Sequence, residues 1–178
     1  EALKYPFPRE DIEFRVSRVS AKKNKACVVP YIKARGIMQR LDEVFDIAHW
    51  KDEYEVLQSG VKCKLSVYLE GEWITKEDVA PFTNIEALKG AFSDSLKRAG
   101  VKFGIGRYIY DVQEHWVDIF PERPKDCMFP VHYQSSEGMT GWWIEPQLPV
   151  WALPAVKLNV PLQYLELLEE LKQSKILT

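Results

Sequence analysis

The stretch from Thr83 to Asp111, TNIEALKGAFSDSLKRAGVKFGIGRYIYD, constrains this chain most, because it commits a long run to one helix followed by a sharp break. Thr83 with Glu86 three residues later is a capping-box signature, in which hydroxyl and carboxylate each satisfy an orphaned backbone N–H. Behind it Ile85, Leu88, Phe92, Leu96, Ala99 and Phe103 recur at steps of three and four. At about 100° per residue they form one narrow apolar stripe, which is expected to be buried. Lys89, Ser93 and Lys97 climb one flank of the stripe, while Arg98 and Lys102 lie on the other, so positive charge gathers at the C-terminal end. The helix dipole favours cations there, and Asp94 stands at i, i+4 from Arg98. A solvated, self-neutralised face and a ligand face are both open at this point. Gly104-Ile105-Gly106 is no dinucleotide fingerprint, since a helix rather than a strand precedes it and no third glycine follows in place. It reads as a break between two helices.

Upstream, Tyr5-Pro6-Phe7-Pro8 is an extended lead-in, because each proline biases its predecessor away from helix. Ile12 to Val19 then alternates apolar and polar residues as a half-buried strand does, with Arg18 on the polar face. Lys22, Lys23 and Lys25 follow in a loop. From Tyr31, Ile32, Ile37, Leu41, Val44 and Phe45 fall at helical spacing after Pro30, so a helix is expected to open there with Lys33 and Arg35 on its polar side. Residues 53 to 80 read as three strands: Tyr54, Val56, Cys63, Leu65, Val67 and Leu69 alternate with polar residues. Ser59-Gly60 and Glu70-Gly71 supply the turns, and Trp73-Ile74 enters the third strand. The fold class is therefore α+β, an antiparallel β-β-β-α unit.

Beyond Gln113 the character changes. Seven of the eleven prolines lie between 121 and 161, together with Trp142, Trp143 and Trp151, which predicts an extended segment rather than a second core. Pro161 then opens PLQYLELLEELKQ, whose Leu162, Leu165, Leu168 and Leu171 mark a short amphipathic helix. The expected organisation is a core over residues 1–120 and a tail over 121–178 that packs on its own or a neighbouring subunit.

The formal net charge of −2 hides a segregation that matters more. Residues 1–40 carry a balance of +6, residues 41–60 of −5, residues 61–110 of +2 and residues 111–178 of −5. Such blocks build local fields on a nearly neutral protein, or pair with one another between subunits. Cys27, Cys63 and Cys127 are odd in number and widely spaced, which argues against a disulfide framework or structural zinc. The N-terminus has no signal core, and no run of about 18 apolar residues predicts a membrane span. A reducing compartment, the cytoplasm, is expected. There is no P-loop, no metal-spaced His/Cys cluster and no nucleophile elbow. A Cys63 or Cys127 nucleophile served by His49, His115 or His132 competes with the commoner reading of three inert core thiols. We therefore expect no enzyme, no metal and no cofactor.

The run KRAGVKFGIGRYIYD resembles the signature of the Rad52/Rad22 family of DNA-repair annealing proteins, and is closest to its bacterial and phage branch. The Ser17-Arg18 pair ending the first strand, the Tyr31-Ile32 pair, Trp50 and the Lys76-Glu77-Asp78-Val79 run resemble the family pattern too, over about residues 5–120. The resemblance implies a β-β-β-α annealing core and ATP-independent binding and annealing of single-stranded DNA in recombination and repair. It further implies a homo-oligomeric ring or helical filament, a single-strand-binding protein as possible partner, and a bacterial or phage-infected host cell. Carried over residue by residue, it makes Lys97 and Arg98 the expected phosphate ligands, Arg18 the next, and Lys102, Lys33 and Arg35 further candidates. A short connection at Ala80-Pro81-Phe82 and an acidic turn at Glu70 and Glu72 depart from the eukaryotic members, which carry a second, outer DNA site there. End protection of single strands without annealing, and a purely structural assembly role, are the competing expectations.

Overall fold

Along β1 (Ile12–Val19) the apolar Ile12 and Phe14 point into the core while Glu13 and Arg15 alternate outward. The strand occupies the edge of an antiparallel sheet in the order β1-β2-β6, where β2 is Lys25–Ile32 and β6 is His115–Asp118. The computed structural model describes residues 1–82, 87–125, 130–134, 138 and 140–155. Between β2 and β6 in sequence come α1 (Ala34–Phe45) and a meander of β3 (Trp50–Leu57), β4 (Gly60–Leu69) and β5 (Glu72–Pro81). The helix α2 (Ala87–Lys102) follows and packs on β4 and β5. A hairpin of β7 (Pro130–Gln134) and β8 (Thr140–Ile144) completes the described elements. The class is α+β with antiparallel sheets. The capping pair Thr83 and Glu86, Ile85, Cys127 and the leucine helix from Pro161 lie outside the described residues.

The meander follows the expected alternation, with Val61, Cys63, Leu65 and Val67 of β4 all buried and α2 packed on that strand. Its second turn places Glu70 at φ 53° and Gly71 at φ 90°, the twin positive values of a type I′ hairpin turn, whose twist matches the flanking strands. At the other end, Gly60 meets Pro81 across the ladder, and a Cβ built there would lie 2.2 Å from the Ala80 carbonyl oxygen. Backbone on both sides leaves nothing to give way. Gly60→Ala is expected to cost about 1–3 kcal/mol by overpacking, read as a lower denaturant midpoint at unchanged slope.

Two sequence expectations need correction. The helix read from Tyr31 begins at Ala34, and Pro30, Tyr31 and Ile32 belong to β2. Pro30 is tolerated because β6 pairs only with Lys25 to Val28, so the missing N–H faces no second ladder. The buried face of α2 is also rotated from the expected stripe. Ala91, Ser95, Leu96 and Ala99 are buried, while Leu88 is 54% exposed. Small residues lead here because α2 lies close to its neighbours: a Cβ on Gly100 would stand 3.0 Å from Ile37 Cγ2 of α1. The Ser95 hydroxyl is satisfied within the helix, donating to the Phe92 carbonyl at 2.9 Å.

The break after α2 occurs as expected, and its chemistry is a Schellman stop. The Ile105 N–H bonds the Gly100 carbonyl, the Gly104 N–H bonds that of Val101, and Gly104 takes φ 97°. Arg107 donates to the last carbonyls, Val101 and Lys102, where a cation suits the dipole. A 3-10 turn over Arg107–Asp111 then carries the chain to β6.

Candidate functional site

The outer face of β1 and β2 and the C-terminal half of α2 enclose a cleft of about 800 Å³, floored by the Ile105–Val112 turn. Arg15, Tyr31, Asp94, Lys97, Arg98, Tyr110 and Glu114 are its polar lining. A second hollow, by the N-terminal turn, has Arg40 as its buried cation, but that guanidinium is committed to the Ala2 and Tyr5 carbonyls at 3.1 and 2.6 Å.

Arg18 reaches the cleft side through a register shift. Strict alternation from Ile12 would put Arg18 on the buried face, with Phe14 and Val16. Instead Val16 faces Val28 and Arg18 faces Cys27, so Ser17 is an extra residue in a β-bulge that flips the parity. Arg18 thus shares a face with Glu13 and Arg15. There it lies 5.5 Å over the Trp116 ring and grips Glu114 with two hydrogen bonds of 3.0 and 2.5 Å. The guanidinium holds the Glu114 carboxyl below the usual range.

On the helix side, Lys97 pairs with Asp94 at 2.6 Å and lies 5.2 Å over the Tyr31 ring. The expected Asp94–Arg98 pair does not form. Arg98 turns instead to Asp78 of β5, donating from Nε and Nη2 at 3.2 Å, and Lys102 Nζ reaches the other oxygen of that carboxylate at 3.4 Å. Partial burial raises the Asp78 pKa, but the Val79 N–H and the Arg98 guanidinium outweigh it and the net shift is downward. Asp78 therefore stays ionised and ties α2 to the meander.

The structure thus brings Lys97 and Arg98 together in one cleft, sets Arg18 at its margin, and leaves the other three candidates elsewhere. Lys102 bonds the Glu77 carbonyl on the meander side at 2.6 Å. Lys33 caps the β1 end of the sheet through the Glu10 carbonyl and Glu13, at 3.0 and 3.2 Å. Arg35 is exposed on α1, outside the cleft lining. Arg15 was missed by sequence reasoning, although its odd position among Ile12, Phe14 and Val16 placed it outward. Tyr31 and Tyr110 were missed as site residues as well. Tyr31 donates to Glu13, and burial followed by that bond pushes the phenol well above its ordinary pKa. Tyr110 is 69% exposed at the rim.

Cys27 and Cys63 are both buried, and burial pushes both thiols up, Cys63 to about 12. The charged and polar neighbours that act on them are Arg18 and Glu114 for Cys27 and Asp52 and Tyr54 for Cys63, with no histidine among them. Both thiols stay protonated at neutral pH, which removes the nucleophilic form. Among the described residues, no three His, Cys, Asp or Glu side chains converge as a metal site needs, and no helix is long and apolar enough to cross a membrane.

The family model described as Rad52/22 family double-strand break repair protein matches residues 1–124. Two similar proteins, each named single-stranded DNA-binding protein DdrA, come from Deinococcus radiodurans and Deinococcus deserti. They are 33% and 32% identical over 158 residues, covering 85% of this chain. The chain spans 66% and 68% of their respective lengths.

Proposed function

This chain belongs to the Rad52/22 family of double-strand break repair proteins, and from that premise we propose that it binds single-stranded DNA and anneals complementary strands without ATP. The observation that carries the reading is the cleft between the first sheet and α2, where Arg15, Lys97 and Arg98 line one concave surface. Cations on a groove wall neutralise successive phosphates and give sequence-tolerant affinity. Held by its backbone, the strand presents its bases outward, where a complementary strand pairs with no side chain reading the sequence. Arg18 extends this track along β1, with Lys102, Lys33 and Arg35 as peripheral contacts to DNA outside the cleft. The order β3-β4-β5-α2 supports the assignment of an annealing core. The role is binding rather than catalysis, with no cofactor, in the cytoplasm, and with a single-strand-binding protein as a natural partner on the same substrate.

The protein acts as a ring or helical oligomer on this reading. Two features support it. Among the described residues β1, β3 and β5 are sheet edges, and β5, paired along its ten residues with β4 alone, exposes Trp73, Ile74 and Val79. The acidic block over residues 41–60 and the basic block over residues 1–40 suit a head-to-tail contact that repeats around a circle.

A strand-annealing assay with two complementary oligonucleotides, one labelled, tests the function. Faster annealing without ATP is the expected result. Binding without acceleration would favour strand coating and end protection, a reading suggested by relatives whose names state binding alone. Absence of binding would leave the structural role. Light scattering showing a monomer at micromolar protein, with and without DNA, would overturn the assembly.

A further inference from the structure

Two of the cations at the cleft are already occupied by carboxylates that themselves line it. Glu114 accepts both Arg18 bonds, and Asp94 holds Lys97. Arg98 is anchored by Asp78, which lies outside the cleft lining. Arg15, exposed on the same strand face as Arg18, makes no side-chain hydrogen bond or ion pair among the described residues, its charge acting only on the neighbouring Tyr31 phenol. A carboxylate offers a guanidinium the same pair of acceptor oxygens that a phosphate does, so the two ligands compete for one fork. The Arg18–Glu114 pair is about half exposed on both sides, and such pairs are held only weakly.

Resting on the reading that this cleft takes single-stranded DNA, we propose that Glu114 and Asp94 are built-in competitors of the phosphate backbone. A strand engages Arg15 first, then takes Arg18 and Lys97 by displacing their carboxylates. Binding is then an exchange of ion pairs rather than a gain of new ones, and each site contributes less than a bare cation would. The consequence suits a protein that must release a strand once it has paired. A single phosphate cannot outcompete a carboxylate tethered beside the cation, whereas a chain of phosphates already caught by Arg15 can, through its high local concentration.

The experiment is fluorescence anisotropy with labelled oligo-dT on the full chain. Wild type is compared with Glu114→Gln, Asp94→Asn, Arg18→Ala and the double variant Arg18→Ala/Glu114→Gln. Glu72→Gln, at the exposed β4–β5 turn, reports the generic effect of removing one negative charge. Glu114→Gln and Asp94→Asn are expected to bind roughly two- to fivefold more tightly than the Glu72→Gln control. The gain from Glu114→Gln should vanish in the Arg18→Ala background, where no cation remains to be released. Arg15→Ala should slow association by a similar factor, as expected of a residue met first. No tightening beyond the control, or a gain that persists without Arg18, overturns the proposal. An unchanged association rate in Arg15→Ala overturns the order of engagement. A wild-type protein that fails to bind oligo-dT overturns instead the functional reading on which this rests.

Discussion

Arg98→Ala and Lys97→Ala are expected to weaken binding of every single-stranded sequence about equally, because contacts to the backbone carry no base information. A charge-assisted hydrogen bond is worth about 1.5–3 kcal/mol, so the loss should approach tenfold or more for a contact fully made. Each lost phosphate contact should also flatten the log–log salt slope by about 0.7, since fewer condensed counterions are released. Lys97 should lose less affinity than Arg98 if its phosphate contact replaces the Asp94 ion pair, 2.6 Å long in the free protein. The fold should survive both changes. Without Arg98, Asp78 keeps Lys102 at 3.4 Å and the Val79 N–H at 2.7 Å, and a surface pair lost costs about 0.2–1 kcal/mol. Lys89→Ala, two turns earlier on α2 and outside the cleft lining, is the control and should bind nearly as wild type. Folded, assembled variants at Lys97 and Arg98 that bind oligo-dT with unchanged affinity and slope would remove the cleft from consideration. The basic end of α2 would then be a solvated or subunit-facing surface.

What could be read from the residues alone follows a physical line between local and non-local effects. The meander was legible because alternation and turn chemistry act within a few residues, as Glu70-Gly71 illustrates. The helix break was legible for the same reason, since Gly104 supplies a left-handed stop without help from elsewhere. The face of α2 was not, because Ala91, Ser95 and Gly100 add little to an apolar pattern yet are selected by how closely α1 and the meander approach. Pro30 misled in a related way: it is an accepted helix opener, and only the length of β6 shows why a strand tolerates it. At the site, Lys97 and Arg98 came from resemblance to a family pattern, and the geometry then put both on one cleft wall. Their partners were illegible. Glu114 lies 96 residues from Arg18 in sequence and Asp78 lies 20 from Arg98, so only the folded chain reveals which cations are already occupied.

Trp143→Ala is expected to be the most destabilising substitution, at about 3–5 kcal/mol, and it tests how the Pro- and Trp-rich segment is held. Sequence patterning made that segment an extended tail that must pack on something. Trp143 is 1% exposed and lies in the same apolar cluster as Ile12, Val28, Leu65 and Leu96, joined there by Leu148 and Ala152. Hydrogen bonds of 2.7 and 2.8 Å between Phe120 and Trp142 fasten β8 beside the chain leaving β6, and Arg9 pairs with Glu145 across the same seam. An indole in this position fills volume that no neighbour can recover, so its removal leaves a cavity in the main core rather than a loosened flap. Trp151, 54% exposed, is the comparison, and its replacement by Ala should cost little. Chemical denaturation separates the alternatives. If β8 is part of the core, Trp143→Ala lowers the midpoint of a single transition that also reports Leu65 and Leu96. If the segment is an independent clasp, the variant instead splits off an early transition and leaves the main midpoint where it was.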